Sequence, residues 1–196
     1  MKKLILASGS PRRAELLERM GLSFTVQPAN TEEILQPGLT PQQQVVSLSR
    51  QKAEAVLSLH KEQDTVILSA DTVVVLDGKI LGKPADPEDA KAMLRALSGR
   101  SHLVLTGVTV ASGAQLLTHC EETEVYFREL TEAEIARYVA TGEPMDKAGA
   151  YGIQGLAAMF IPGIRGDYYN VMGLPVCATA QLLQRVEVLP TTEVTA

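Results

Sequence analysis

The chain has 196 residues, of which 45% are hydrophobic and 21% are charged, and it carries a net charge of −5 at pH 7. These proportions are typical of a globular protein and exclude a largely disordered chain. The negative charge also excludes a generic basic nucleic-acid coat, which would need clustered excess lysine and arginine. No apolar run approaches the ~20 residues that a membrane-spanning helix needs, so neither nucleic acid nor a membrane is an expected partner.

The beginning of the chain resembles a secretory signal, but its apolar stretch covers only residues 4–7 before the turn-forming residues 8–11. We therefore interpret it as a buried strand. The two cysteines, Cys120 and Cys177, are too few for a disulfide framework and lack metal-ligand spacing. A reducing cytoplasm is therefore the expected location.

Six apolar or β-rich runs bounded by turn residues predict strands. They cover residues 3–6, 24–26, 65–76, 79–81, 102–111 and 116–126. Asp77-Gly78 predicts a hairpin between the third and fourth strands. The two long runs on either side of Ser112-Gly113 predict an antiparallel pair.

Start and stop signals predict five helices. They cover residues 11–20, 41–57, 87–97, 131–140 and 175–185. The first three begin with an N-cap residue followed by a proline, which suits the first helical position because its missing N–H costs nothing there. The fourth begins with a capping box formed by Thr131 and Glu134. Residues 146–173 are rich in glycine and show little periodicity.

Strands and helices alternate at first and hairpins follow, which favours an α/β fold with a mixed, partly antiparallel sheet flanked by helices. No repeat, low-complexity stretch or long linker divides the sequence, so we predict one domain over residues 1–196. The polar end of the chain predicts a flexible tail from about residue 187.

The segment Ser8-Gly9-Ser10-Pro11-Arg12-Arg13 lies between a predicted strand and a predicted helix. Main-chain N–H groups and the helix dipole attract anions at such a position, and Gly9 lets the backbone approach a phosphate closely. The positive charges of Arg12 and Arg13 lie near the positive end of the helix dipole, which is unfavourable unless an anion is bound there. The alternative is an ordinary N-cap with two solvated arginines. The segment is not a Walker A loop because it lacks the Gly-x-x-x-x-Gly-Lys pattern.

Acidic residues occur at two informative places. Asp71 interrupts an apolar strand pattern, and a buried unpaired carboxylate is costly, so it should be paired, bound to a metal or at a strand end facing a cleft. A structural hydrogen-bond network is the alternative for this residue. Glu32 and Glu33 follow the second strand as adjacent carboxylates and are therefore candidate site residues. The alternative is that they only cap a loop.

Two lysines and one glycine-rich loop complete the candidate residues. Lys83 lies in a turn between a glycine and a proline, and Lys52 lies on the long helix; the alternative for each is a solvated surface cation. Residues 146–155 contain three glycines with polar and aromatic residues between them, which suits a backbone wrapped around a small ligand. Gln154 offers one acceptor and two donors in that loop.

Together these residues point to a polyphosphate. Four candidate cations accompany the acids in a chain of net negative charge: Arg12, Arg13, Lys52 and Lys83. A negative protein that handles a polyphosphate needs a local positive cradle, and it needs carboxylates for the divalent ion that travels with phosphates. The sequence shows no Cys/His pair and no plausible Ser-His-Asp set, so attack by an activated water is simpler than a covalent route.

Several segments are near-verbatim matches to one family. They are Leu6-Ala-Ser-Gly-Ser-Pro-Arg-Arg13, Ala70-Asp-Thr72, Gly82-Lys-Pro84, Leu97-Ser-Gly99, Asp146-Lys-Ala-Gly-Ala-Tyr-Gly-Ile-Gln-Gly155, residues 166–168 and residues 171–175. Over about residues 3–185 the chain thereby resembles the Maf family of nucleoside-triphosphate pyrophosphatases, which implies the inosine-triphosphatase-like fold. Residues 146–155 resemble the branch that hydrolyses dTTP and UTP to the monophosphate and pyrophosphate.

The resemblance also implies roles for individual residues. It makes Asp71 the proton acceptor for the attacking water. The substrate-selecting positions that it implies are Arg12, Thr72 and Gln154. The phosphate-binding residues that it implies are Ser8, Gly9, Arg13, Lys52 and Lys83. Glu33 and Asp71 would hold a Mg²⁺ or Mn²⁺ ion. The implied protein is a cytoplasmic house-cleaning enzyme that acts on a small-molecule nucleoside triphosphate, canonical or modified, and forms a homodimer.

Two other functions stay open on the sequence. A nucleotidyltransferase also begins with a strand and a glycine-rich, arginine-bearing loop, but it needs a second substrate. A non-catalytic, nucleotide-binding regulator of cell division or septum formation would need the phosphate cradle but not Asp71.

Overall fold

The computed structural model of the chain describes residues 2–32, 34–60, 62, 64–188 and 190. The strands are β1 (Lys3–Leu6), β2 (Phe24–Val26), β3 (Thr65–Leu76), β4 (Lys79–Leu81), β5 (Ser101–Ser112), β6 (Gln115–Tyr126) and β7 (Gly163–Arg165). The α-helices are α1 (Pro11–Arg19), α2 (Pro41–Leu57), α3 (Pro87–Leu97), α4 (Glu132–Val139), α5 (Tyr168–Met172) and α6 (Val176–Arg185). Short 3₁₀ helices cover Glu143–Asp146, Ala148–Ala150 and Leu156–Phe160.

The strands form one sheet in the order β2-β1-β3-β5-β6-β7, with β4 also paired to β3. β1 runs parallel to β2 and β3, whereas β4 and β7 run antiparallel to their partners β3 and β6. The predicted mixed, partly antiparallel sheet is therefore confirmed. β5 and β6 are neighbours, and strands joined by so short a turn run antiparallel, as predicted.

The helix signals in the sequence act as expected. In α2 the Thr40 side chain accepts a hydrogen bond from the Gln43 N–H, and the Gln43 side chain accepts one from the Thr40 N–H. Thr131 and Glu134 form the same capping box at α4. Each box satisfies two main-chain donors that a helix start otherwise leaves unpaired, which is why these boundaries could be predicted. β7 and α5, which lie in the glycine-rich stretch, were not predicted.

The described chain divides into two compact units. The first contains the described residues of Met1–Asp71, Thr106–Glu121 and Gly173–Ala196, and the second contains Thr72–Leu105 and Glu122–Met172. The prediction of a single domain is not tested by this division and stays a prediction. Residues 189 and 191–196 of the predicted tail lie outside the described residues. Among the described residues, no helix combines the length and the apolar content that crossing a bilayer requires.

In the first unit, α2 packs closely against the sheet. Gly107 on β5 makes this possible, because a Cβ atom at that position would lie 2.3 Å from the Val45 carbonyl oxygen of α2. Buried polar side chains fix the same interface: Ser49 Oγ lies 2.8 Å from Thr109 Oγ1, and Ser69 Oγ donates to the Ser49 carbonyl at 2.5 Å. The position of α2 on β3 and β5 is therefore set by hydrogen bonds and a close backbone approach, and not by apolar burial alone.

The core of the second unit contains a cluster of aromatic rings. Phe127 packs edge-on against both His102 and Tyr151, with ring centroids 5.2 Å and 4.9 Å away. His102 is 3% exposed, and its Nε2 lies 2.7 Å from the Tyr151 hydroxyl. Burial lowers the pKa of His102 to about 4, so the ring is neutral near neutral pH.

This buried histidine predicts a dependence of stability on pH. The pKa of His102 is lower in the folded chain, about 4, than its ordinary value of 6.5. The unfolded chain therefore binds a proton first as the pH falls. As the pH falls from 6.5 to 4, we expect the titration of His102 to lower the free energy of unfolding by on the order of 3 kcal/mol. Above pH 6.5 we expect no contribution from this residue.

The measurement is urea unfolding at several pH values, compared with His102→Gln. The variant lacks the titrating ring, so its free energy of unfolding should fall less steeply over this pH range, whatever its level at pH 7. Parallel pH curves for the two proteins would show that folding does not lower the pKa of His102.

Candidate active site

The turn after β1 is organised around Ser8. The Ser8 hydroxyl is buried, and it accepts hydrogen bonds from the Ser10 N–H at 3.2 Å and from Arg13 Nη1 at 3.0 Å. Ser10 occupies the predicted N-cap position of α1, but its side chain makes no capping hydrogen bond. The prediction that Ser10 caps the helix is therefore correct for the position and wrong for the side chain, because the hydroxyl two residues earlier organises this turn.

Arg13 joins this turn to a distant part of the first unit. Its Nε donates to the Gly173 carbonyl at 2.8 Å, while Nη1 holds Ser8. The guanidinium is therefore fixed in place by the protein at two of its donors. Arg12, one residue earlier, is half-buried, and its side chain makes no hydrogen bond or ion pair within the described part of the chain.

Lys52 and Asp71 form an ion pair between α2 and β3. Lys52 Nζ lies 2.5 Å from Asp71 Oδ1, and the two side chains are only 16% and 10% exposed. The pair satisfies the expectation that a buried Asp71 must be paired. It also shows that Lys52 is not a solvated surface cation.

The local geometry explains why these two side chains meet. Lys52 follows Ser49 by three residues on α2, and Asp71 follows Ser69 by two residues on β3, so each lies on the same face as the serine before it. The Ser69–Ser49 hydrogen bond and the Lys52–Asp71 ion pair therefore connect the same two elements side by side.

The strand register brings the Ser8 turn and Asp71 to one edge of the first unit. Leu6 pairs with Leu68 in parallel, and the Ala7 N–H still donates to the Leu68 carbonyl at 2.7 Å. In parallel strands the residues that follow such a pair extend in the same direction. Ser8 and Asp71 therefore both lie just beyond this pair, on the carboxyl side of β1.

Three further predicted site residues lie in the second unit. Thr72 follows Asp71 on β3 and is half-buried, whereas Lys83 and Gln154 are exposed. The loops of Lys83 and Gln154 are connected, because the Gly149 N–H donates to the Gly82 carbonyl at 3.0 Å. Gly82 precedes Lys83, and Gly149 belongs to the glycine-rich loop that carries Gln154.

Of the two predicted metal ligands, only Asp71 belongs to the described residues. Glu33 lies outside the described residues. Its neighbour Ile34 is bound to α2, where the Gln51 amide accepts from the Ile34 N–H at 3.2 Å and donates to its carbonyl at 3.0 Å. Within the described ranges no three His, Cys, Asp or Glu side chains form a metal-binding group. The Asp71 carboxylate is a hard oxygen donor of the type that Mg²⁺ prefers, so the described part of the site is chemically compatible with such an ion.

Comparison with known proteins places this chain in a family. The model of the family described as Maf, Maf-like protein, matches residues 3–186. The chain belongs to the Maf family. The match spans all the Maf-like segments of the sequence, from the turn after β1 to the segment before α6.

Curated relatives cover nearly the whole chain. The dTTP/UTP pyrophosphatase of Pelotomaculum thermopropionicum is 50% identical over 94% of this Maf chain and 97% of its own length. The dTTP/UTP pyrophosphatase of Halalkalibacterium halodurans is 52% identical over 94% of this chain and 96% of its own length. A solved nucleoside-triphosphatase / dITP/XTP pyrophosphatase from Mycobacterium abscessus has a TM-score of 0.45 and 12% identity, covering 94% of this chain and 98% of that one.

Two residues that hold the Gln154 loop were not predicted. Glu143 and Tyr138 bind main-chain N–H groups of this loop. A glutamate and a tyrosine that bind the backbone leave no recognisable side-chain spacing, and the proximity of Glu143 to Gly155 becomes visible only in three dimensions. Lys147 is held within the same region, because its Nζ donates to the Glu143 carbonyl and to Asp146 at 2.6 Å each.

Proposed function

We propose that this Maf protein hydrolyses dTTP and UTP to the nucleoside monophosphate and pyrophosphate, as a nucleotide-pool house-cleaning enzyme. The observation that carries the proposal is the buried Lys52–Asp71 pair beside the Ser8–Arg13 turn, in a chain about half identical to proteins named dTTP/UTP pyrophosphatase. A cation and a carboxylate held together next to a phosphate-binding turn suit attack of water on a phosphoanhydride.

In the proposed reaction, water attacks the α-phosphorus and the bond from that phosphorus to the bridging oxygen breaks. Asp71 orients the water and accepts its proton, and pyrophosphate leaves. Lys52 holds the Asp71 carboxylate in place through the 2.5 Å contact. Positive charge from Arg13 and Lys83 stabilises the negative charge that builds up on the leaving pyrophosphate.

A divalent ion fits the proposed chemistry. Glu33 and Asp71 would hold a Mg²⁺ or Mn²⁺ ion, which would neutralise the phosphates and lower the pKa of a bound water. The remaining phosphate contacts in this proposal come from the Ser8 hydroxyl and from the main chain at Gly9. Gly9 is exposed, and its nearest neighbour for an added Cβ is the Pro28 side chain at 3.6 Å, so the backbone there is open to a ligand.

Base choice is assigned to Arg12, Thr72 and Gln154. Uracil and thymine present an N3–H donor beside a carbonyl acceptor, and the Gln154 amide matches that pair with its own acceptor and donor. A site that holds the amide in one orientation leaves buried polar groups unpaired when the wrong base binds, and this gives strong discrimination. Cytosine matches the same amide rotated by half a turn, so rejection of CTP depends on the orientation of the Gln154 amide being fixed.

A pyrophosphate-release screen tests this function. The purified protein is incubated with each canonical nucleoside triphosphate, with and without Mg²⁺, and the products are separated by chromatography. We expect dTTP and UTP to yield equal amounts of monophosphate and pyrophosphate with water as the only second reactant, and chelation of the metal to stop the reaction. Release of orthophosphate and a diphosphate would contradict attack at the α-phosphorus. Binding without turnover of any triphosphate would favour the regulator of septum formation.

The assembly and location are proposed on the family resemblance. We propose a homodimer, which light scattering would report as about twice the 21.1 kDa mass of the chain. We propose a cytoplasmic location, which agrees with Cys120 and Cys177 not forming a disulfide.

A further inference from the structure

The turn that carries Gln154 is compact and exposed. The Gly155 N–H donates to the Gly152 carbonyl at 3.1 Å, which closes a β-turn with Ile153 and Gln154 at its centre. Ile153 is buried and Gln154 is exposed. The direction in which the Gln154 amide extends therefore depends on how firmly this turn is held at its two ends.

Two side chains hold those ends. The Gly152 N–H donates to the Tyr138 hydroxyl at 3.3 Å, and the Leu156 N–H donates to Glu143 Oε2 at 3.0 Å. The two side chains are joined to each other, because the Tyr138 hydroxyl donates to Glu143 Oε1 at 2.9 Å. We call this connected set, Tyr138 and Glu143 with the main chain at 152 and 156, the turn clamp.

The side chains around the turn lie close to two of its glycines. A Cβ atom at Gly155 would lie 2.2 Å from Glu143 Oε1, so the carboxylate rests directly against the backbone of the turn. A Cβ atom at Gly152 would lie 2.8 Å from the Lys147 side chain, which itself donates to the Glu143 carbonyl at 2.6 Å. A side chain at Gly155 would therefore displace the Glu143 carboxylate from the clamp, whereas one at Gly152 would displace the flexible end of Lys147.

The clamp is anchored in the core of the second unit. Tyr138 lies on α4, is 4% exposed, and packs edge-on against Phe160 with ring centroids 5.3 Å apart. Burial raises the pKa of the Tyr138 phenol, and its hydrogen bond to Glu143 raises it further, so the hydroxyl stays protonated and keeps donating. The main chain at Glu143 is held as well, because its N–H donates to Thr141 Oγ1 at 3.2 Å.

We propose that Tyr138 and Glu143 are positioning residues for base selection: the turn clamp fixes the backbone from which Gln154 extends and keeps its amide level with the base edge, which is a condition for rejecting bases other than uracil and thymine. This inference rests on the proposed function, in which Gln154 reads the base. Neither side chain touches the reacting phosphates in this assignment, so loss of the clamp should affect selection more than chemistry.

Tyr138→Phe is the variant that tests the clamp. It keeps the ring that packs on Phe160 and removes only the hydroxyl that links the Gly152 N–H to Glu143. We expect the ratio of kcat/KM for dTTP to kcat/KM for CTP to fall by about tenfold, the size of one lost hydrogen bond, mainly through a higher KM for dTTP and with a near-normal kcat. Tyr126→Phe is the matched control, because it removes an exposed hydroxyl that donates to Glu124 on β6, and its ratio should equal that of the wild type.

A double-mutant cycle separates positioning from general destabilisation. If the clamp acts through Gln154, the double variant Tyr138→Phe/Gln154→Ala should be no less selective than Gln154→Ala alone. Equal loss for dTTP and CTP in Tyr138→Phe, or additive losses in the double variant, would overturn the inference. So would a wild-type ratio in Gln154→Ala.

Failure of the inference and failure of the proposed function give different results. If the wild-type protein releases no pyrophosphate from dTTP or UTP, the proposed function fails, and the inference fails with it. If the wild type does so and Gln154→Ala changes the ratio while Tyr138→Phe does not, the inference alone is overturned.

Discussion

Asp71→Asn is expected to lower kcat for dTTP by roughly 10²–10⁴-fold, the usual contribution of a positioned general base. Asparagine has nearly the shape of aspartate, but its amide cannot accept the proton of the attacking water. The change also replaces the buried carboxylate that lies 2.5 Å from Lys52 Nζ with a neutral group, so the lysine loses its charged partner. Steady-state hydrolysis of dTTP measures the effect.

Loss of folding is the competing cause of inactivity, because removing one partner of a buried ion pair is destabilising by about 3–5 kcal/mol. The melting temperature and the affinity for a non-hydrolysable dTTP analogue are therefore measured on the same sample, and the variant should be folded and bind the analogue. Asp77→Asn is the matched control: it removes a carboxylate that lies 2.6 Å from Arg100 Nη2 at an exposed site, and its rate should be unchanged. A normal rate in Asp71→Asn would show that another group activates the water.

Gly107→Ala is expected to destabilise the protein by about 3 kcal/mol, at the upper end of the usual cost of overpacking. The added methyl group would lie 2.3 Å from the Val45 carbonyl oxygen and 2.7 Å from the Val46 nitrogen. These are backbone atoms of α2, so the clash cannot be relieved by rotating a side chain. In a chain of this size such a loss lowers the melting temperature by roughly 6–12 °C.

Calorimetry and dTTP hydrolysis together report this variant. To relieve the clash α2 must move away from β5, and Lys52 moves with it, so the rate should fall along with the stability. Gly163→Ala is the control, because a Cβ atom there has no described atom within 4 Å. A Gly107→Ala protein with the melting temperature of the wild type would show that α2 does not lie this close to β5 in solution.

The elements of the fold could be predicted wherever the local sequence sets a boundary. The proline after Thr40, the proline after Asp86 and the capping box at Thr131 fix helix starts within the chain itself, and the structure confirms each of these starts. β7 and α5 have only three and five residues in a glycine-rich stretch, so tertiary contacts and not local pattern define them. The Asn170 side chain illustrates this, because it holds α5 by donating to the Val104 carbonyl, far away in the sequence.

The candidate site was predictable in its residue types and not in its supporting contacts. An aspartate in an apolar strand has to find a partner, so the burial and pairing of Asp71 follow from the cost of an isolated charge. That its partner is Lys52 depends on how α2 packs against β3, which no local pattern reveals. The clamp on Gln154 is still harder to predict from the sequence, because its bonds join side chains to main-chain N–H groups, which every residue except proline carries.

Both main-chain anchors of the Gln154 turn come from residues 138–156, one short continuous stretch of the chain. A single recombination event could therefore transfer the turn that we propose reads the base to another backbone, together with the tyrosine and the glutamate that support it. Because Asp71 and Lys52 lie outside that stretch, nucleotide preference could diversify within this architecture while the groups assigned to hydrolysis are inherited unchanged.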